Sequence, residues 1–122
     1  MGETLYNDNG FLRRRFPRRA LSAQVGVLHR GHYFIARSHE IGEGGMALVL
    51  DSPLAQGDLV VVSVQIPSGD FVSLRGEIRS TQRDPDSGNY IQGVAFTNIK
   101  FSHKRQIRAY VASRSEKERL LS

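Results

Sequence analysis

Between Val60 and Ser80 apolar and polar residues alternate in two successive runs, and this pattern restricts the fold more than any other stretch of the chain. Val60, Val62, Val64 and Ile66 fall on one face of an extended backbone, with Ser63 and Gln65 on the other. Pro67-Ser68-Gly69-Asp70 supplies a compact turn. The next run, Phe71 to Ser80, sends Val72, Leu74 and Ile78 one way and Ser73, Arg75, Glu77 and Arg79 the other. A period of two is that of a half-buried strand, so the stretch predicts a β-hairpin with one face committed to a core. An isolated hairpin is at best marginal in water, so the remainder of the chain has to supply the strands that cover that face.

The remaining strands are legible by the same rule. Leu21, Ala23, Val25 and Val27 alternate with Ser22, Gln24 and Gly26 and predict a first strand. His29-Arg30-Gly31 offers turn chemistry, and His32 to Ser38, with Tyr33, Phe34 and Ile35, resumes as a second. Met46 to Leu50 forms a short third strand, followed by a long polar turn over Asp51 to Asp58. Asp84 to Asn89 is the turn into a last strand, Tyr90 to Phe96. The period then changes. Ser102 is positioned to cap a helix of about three turns carrying Ile107, Tyr110 and Val111 on one face and Lys104, Arg105 and Arg108 elsewhere. Because its apolar stripe needs burial, the helix is expected to plug or flank the sheet, not to read DNA. The expectation is an all-β protein: a small six-stranded antiparallel β-barrel with one C-terminal α-helix.

At 122 residues, 39% hydrophobic and 24% charged, the chain has the size and balance of one globular domain. Residues 1–12 lack periodicity and are expected to form a flexible N-terminal segment. Residues 13–113 form the domain, and residues 114–122 a tail or an extension of the helix. The absence of cysteine excludes disulfide and thiolate chemistry. The first ten residues have no apolar core of a signal peptide, and no window has the apolar length of a membrane span, so a cytoplasmic location is expected.

The net charge of +5 points to an anionic partner, and it is concentrated. Arg13-Arg14-Arg15-Phe16-Pro17-Arg18-Arg19 carries five guanidinium groups, equal to the whole excess. Pro17 holds Phe16 toward extended geometry, so the segment is expected to run as a strap with side chains on both sides. Arginine at this density suits phosphate oxygens and the O6/N7 edge of guanine. A second stretch, Glu40-Ile41-Gly42-Glu43-Gly44-Gly45, enters the apolar run from Met46. Three glycines in four positions require positive φ or close approach of another group, and the pattern alone leaves open a tight inter-strand turn or the approach of a ligand. No Lys-Ser or Lys-Thr follows, so it is not a phosphate loop of the nucleotide-triphosphatase type. His29 and His32 lack further metal ligands nearby, and no nucleophile, histidine and acid arrangement suggests an enzyme.

Together the two stretches resemble the PilZ domain family, whose members typically bind the second messenger cyclic di-GMP. The family's RxxxR motif is met by Arg14 and Arg18, with Arg15 at the often doubled position. Its (D/N)xSxxG motif falls on Glu40, Gly42 and Gly45. Glu40 adds a methylene to the family's short side chain, and Gly42 lacks the family's serine hydroxyl. The resemblance implies a PilZ-type barrel and a bacterial, nucleotide-binding role in second-messenger signalling, with no further cofactor. It implies that Arg14, Arg15 and Arg18 grip phosphate and guanine and that Glu40 accepts from guanine. Gly42 lies in the same site, while Gly44 and Gly45 admit the ligand to the backbone. The strap is expected to be mobile without ligand and to order on binding, which would signal to a downstream protein partner. Two other readings remain open: a PilZ domain that serves as a nucleotide-independent interaction module, and a barrel for single-stranded nucleic acid, which is the less expected.

Overall fold

The computed structural model describes residues 17–113, and within them the chain forms seven strands and one helix. In chain order these are β1 (Arg18–Ala20), β2 (Gln24–His29), β3 (His32–Gly42), β4 (Gly45–Leu50), β5 (Leu59–Gln65), β6 (Phe71–Arg83), β7 (Tyr90–Phe96) and α1 (Phe101–Ala112). All pairings are antiparallel, in the order β1-β3-β2-β5-β6-β7-β4, and a further β3–β4 pairing closes six of the strands into a barrel. The seventh, β1, is an addition to the edge of β3.

The alternation of the central hairpin has the consequence expected of it. Val60, Val62, Val64, Val72, Leu74 and Ile78 are all buried, and Val62↔Leu74 and Val64↔Val72 are direct cross-strand pairs. Val25 and Val27 of β2, Leu48 of β4 and Val94 of β7 complete the lining, and Ile107 of α1 closes it with no exposed surface. Each such side chain contributes roughly 1.5–3 kcal/mol relative to exposure. The turn between β2 and β3 has two residues, Arg30 and Gly31, with φ of 50° and 79°; both central residues lie in the left-handed region, the twist that a two-residue hairpin favours. The last strand occupies Tyr90–Phe96, as its pattern predicts.

Several boundaries differ from the sequence expectation. The first strand is not continuous from Leu21 to Val27: Arg18–Ala20 and Gln24–His29 lie end to end along one edge of β3, with a jog between them. At the jog the buried Ser38 hydroxyl bridges the strands, donating to the Leu21 carbonyl and accepting from the Ala23 amide at 3.0 Å, beside the main-chain bonds from Leu21 N–H to the His39 carbonyl and from Ser38 N–H to the Ala23 carbonyl. β3 shifts register between Ser38 and Glu40 and continues to Gly42, beyond the expected end at Ser38, because β1 and β4 pair with its two sides. β6 likewise extends to Arg83, with a bulge between Ile78 and Ser80 that keeps it paired with β7. The helix begins at Phe101 with Lys100 as its cap residue and no side-chain cap, so Ser102 lies within the first turn instead of capping it. No helix among the described residues is long and apolar enough to cross a membrane.

Candidate functional site

β1 and the β3–β4 loop are far apart in sequence, yet the ladder places one on the other. Arg18 pairs with Gly42, Arg19 with Ile41 and Ala20 with Glu40. The end of the arginine strap is therefore a strand of the sheet, extended as Pro17 demands, and its basic side chains emerge beside the glycine-rich turn. The Arg18 Nη1 donates to Glu40 Oε2 at 2.5 Å, with both side chains about two-thirds covered. Of the residues expected to bind, Arg18, Glu40, Gly42, Gly44 and Gly45 are thus brought to one rim; Arg14 and Arg15 lie outside the described residues. The end of the strap is not outside the sheet: Arg18–Ala20 are joined to β3 by main-chain pairing.

The glycines also have a reason that the sequence reading did not assign. A Cβ on Gly42 would stand 2.7 Å from the Pro17 carbonyl oxygen and 3.2 Å from Arg18 Cγ. One on Gly45 would enter the van der Waals envelope of the Val94 carbonyl across the barrel seam. Neither has φ in the left-handed region. At these two positions the chain's own backbone makes the close approach, from Pro17 just before β1 and from Val94 of β7. Gly44 accepts a hydrogen bond from the Phe96 amide at 2.9 Å, which ties the loop to the end of β7.

Two further contacts, invisible to local sequence patterns, attach α1 to this rim. Arg108 donates through Nε and Nη2 to the two carboxylate oxygens of Glu43, each at 3.0 Å, a forked pair. That hydrogen bonding holds the Glu43 carboxyl below its usual pKa, against the opposing effect of burial, and raises that of Arg108. Arg19 lies over the Tyr110 ring at 4.4 Å and donates to the carbonyls of Tyr110, at 2.9 Å, and Ser113. Tyr110 in turn donates to the Ala20 carbonyl at 2.7 Å. Glu43, Arg108, Arg19 and Tyr110 were not singled out from sequence as site residues. Glu43 stands inside the motif, but nothing local pairs it with a helix residue 65 positions away.

Chemically the rim offers a guanidinium about two-thirds covered, a carboxylate within its reach, and exposed backbone at Gly44. These are donors and acceptors for a phosphorylated purine, but Arg18 is engaged by Glu40, so an entering anion has to compete for it.

The fold is similar to that of known structures. Inhibitor of motility (MotI/DgrA) of Bacillus subtilis superposes with a TM-score of 0.74 at 17% identity, over 90% of this chain and 53% of that one. The PilZ domain of YcgR from Escherichia coli, solved with c-di-GMP, gives a TM-score of 0.69 at 17% identity, over 89% of this chain and 96% of that one. The K. pneumonia MrkH–c-di-GMP complex gives 0.64 at 22% identity, over 82% and 51%. These are likenesses of fold, and this chain spans about half the length of MotI and MrkH. No curated protein matches the chain in sequence. The PilZ domain profile, however, matches residues 12–113, which takes in the arginine strap, the glycine loop, the barrel and the helix. With that match across most of its length, the chain belongs to the PilZ domain family.

Proposed function

We propose that this domain is a cyclic di-GMP receptor whose site lies at the rim where β1 meets the β3–β4 loop. The observation that carries the reading is the β1–β3 register: it sets Arg18 opposite Gly42 and its guanidinium on Glu40, so that the end of the RxxxR motif and the start of the second motif share one surface. Family membership and the c-di-GMP complexes of YcgR and MrkH support the choice of ligand. Arg14 and Arg15, four and three positions before Arg18, supply the remaining cations from the strap. Arg18 leaves Glu40 to donate to phosphate or to the guanine O6/N7 edge, and Glu40 becomes free to accept from guanine N1 and N2. The shift in the strap is passed on to a partner protein, with α1 the natural relay, because Arg19 and Tyr110 join it to β1.

Calorimetric titration with cyclic di-GMP tests this. Removing a charge-assisted hydrogen bond costs about 1.5–3 kcal/mol, so Arg18→Ala and Arg14→Ala are each expected to weaken binding roughly 10- to 150-fold. Saturable binding by the wild-type chain that both variants leave unchanged would refute the assigned residues. No binding by the wild type would favour the second reading, a PilZ domain acting as a nucleotide-independent interaction module. That reading draws on the Arg18–Glu40 pair and on the Pro17 carbonyl standing where the family's serine side chain would be.

A further inference from the structure

We propose that the open seam between the first half of β3 and the chain after β4 is a receptor for an extended peptide, which adds to β3 as a short strand. The pairing of β3 with β4 runs from Gly42↔Gly45 to Arg37↔Val49 and stops. Among the described residues, Leu50 continues only along β7, opposite Tyr90, while His32–Ala36 continue only along β2. The two strands therefore splay, and a cleft of about 450 Å3 opens between them. Its walls include Phe34 and Ala36 on one side and Leu50 and Leu54 on the other, with Arg37 and Asp51 also in the lining. This volume falls within the range of ordinary binding pockets.

The direction of the backbone shows what the cleft can recognise. The Ser38 amide donates to Ala23, on the β2 side of β3. In an antiparallel strand main-chain groups alternate in direction, so Ala36 and Phe34 bond toward β2 while Ile35 and Tyr33 turn their N–H and C=O groups to the opposite edge. At that edge, among the described residues, no strand pairs with them. Two donors and two acceptors thus stand in a row at the repeat of an extended chain. Their side chains are exposed as well, Tyr33 by 64% and Ile35 by 57%. Tyr33-Phe34-Ile35-Ala36 contains neither the charge nor the proline that commonly blunts a free edge.

A single peptide strand suits the seam better than a second barrel. The edge strand of another copy carries its own neighbours, whereas this wedge has a wall on each side. One apolar side chain of the peptide points onto Phe34 and Leu54, and the next points outward beside Tyr33 or Ile35. Arg37 and Asp51 offset each other in charge, which favours a neutral peptide over a nucleic acid or an anionic surface. Ile35 and Gly42 are seven residues apart on β3, about 20 Å, so the seam is separate from the proposed nucleotide rim.

The test uses a phage-displayed random heptapeptide library panned on the full 122-residue chain, with Ile35→Pro as counter-selection. Proline at 35 removes an N–H that faces the cleft and leaves the bonds to β2 intact. Enrichment of peptides with alternating apolar residues is expected. Binding should slow amide exchange of Tyr33 and Ile35 at least tenfold, and N-methylation of alternate peptide amides should weaken binding at least tenfold. The N-methylated peptides decide the matter even if Ile35→Pro fails to fold. The proposal is overturned if no peptide is enriched, or if enriched peptides leave Tyr33 and Ile35 exchange unchanged. It is equally overturned if N-methylation has no effect, or if those amides become protected through concentration-dependent dimerisation of the chain itself.

Discussion

Gly42→Ser restores the side chain that the family motif carries, and the structure predicts that it will damage this protein. A Cβ at Gly42 would lie 2.7 Å from the Pro17 carbonyl oxygen, and ordinary contact begins at 3.4 Å, so the two backbones have to part by about 0.7 Å. The obstacle is main chain, which no change of rotamer removes, and Arg18 Cγ at 3.2 Å crowds the same space. Overpacking of this kind costs about 1–3 kcal/mol. For a domain of this size that corresponds to a fall in Tm of roughly 4–12 °C. The strain falls on the Arg18↔Gly42 end of the β1–β3 ladder, so amide exchange over Arg18–Ala20 should accelerate while that of the central hairpin does not. Gly93→Ala is the control: there a Cβ meets the Ser80 Oγ at 2.5 Å, the end of a side chain that can rotate away. It is expected to change stability by less than about 1 kcal/mol, since the lower backbone entropy of alanine offsets part of the strain. Differential scanning calorimetry and exchange measured on the two variants decide it. A Gly42→Ser protein with wild-type Tm and unchanged exchange at Arg18–Ala20 would show that β1 is not seated on Gly42.

Ser38→Ala should destabilise the fold by about 1–3 kcal/mol in chemical denaturation, because it strips the half-buried Ala23 amide and the buried Leu21 carbonyl of their side-chain partner at the β1–β2 jog. Ile107→Ala, at the one fully buried position of α1, should cost about 2–5 kcal/mol by the same assay. Glu43 has a folded-state pKa below its usual value of 4.5, chiefly through its hydrogen bonds from Arg108, so its stabilising effect is complete above the unfolded value and is lost as pH falls through the folded one. Glu43→Gln should therefore be less stable than wild type at pH 7, by an amount that stays constant down to about pH 5 and shrinks in more acidic solution; a difference that does not change with pH between 7 and 3 contradicts the assignment.

The barrel was readable residue by residue because its cause is local. Wherever one face of a strand is buried, side chains two apart must be apolar, and Val60 to Ile66 and Phe71 to Ser80 display that requirement without any knowledge of partners. The short turn at Arg30-Gly31 and the last strand were legible for the same kind of reason. So were the strap and the glycine loop as chemical features, since five guanidinium groups and three clustered glycines are unusual on their own terms. Where one of those features had two local explanations, as at Gly42 and Gly45, the sequence could not choose between an approaching ligand and an approaching strand.

Tertiary structure decided what depends on distance across the fold. The first expected strand is interrupted where the Ser38 hydroxyl bonds to main-chain groups 15 and 17 positions away. The Arg108–Glu43 fork, the Arg19–Tyr110 stack and the splayed seam at Ile35 each follow from strand register and barrel closure. Periodicity tells a residue which face it occupies but carries no information on which distant residue lies opposite. Only the closed ladder of β1 and β3, with β4 returning alongside, makes neighbours of Arg18, Glu40 and Gly42.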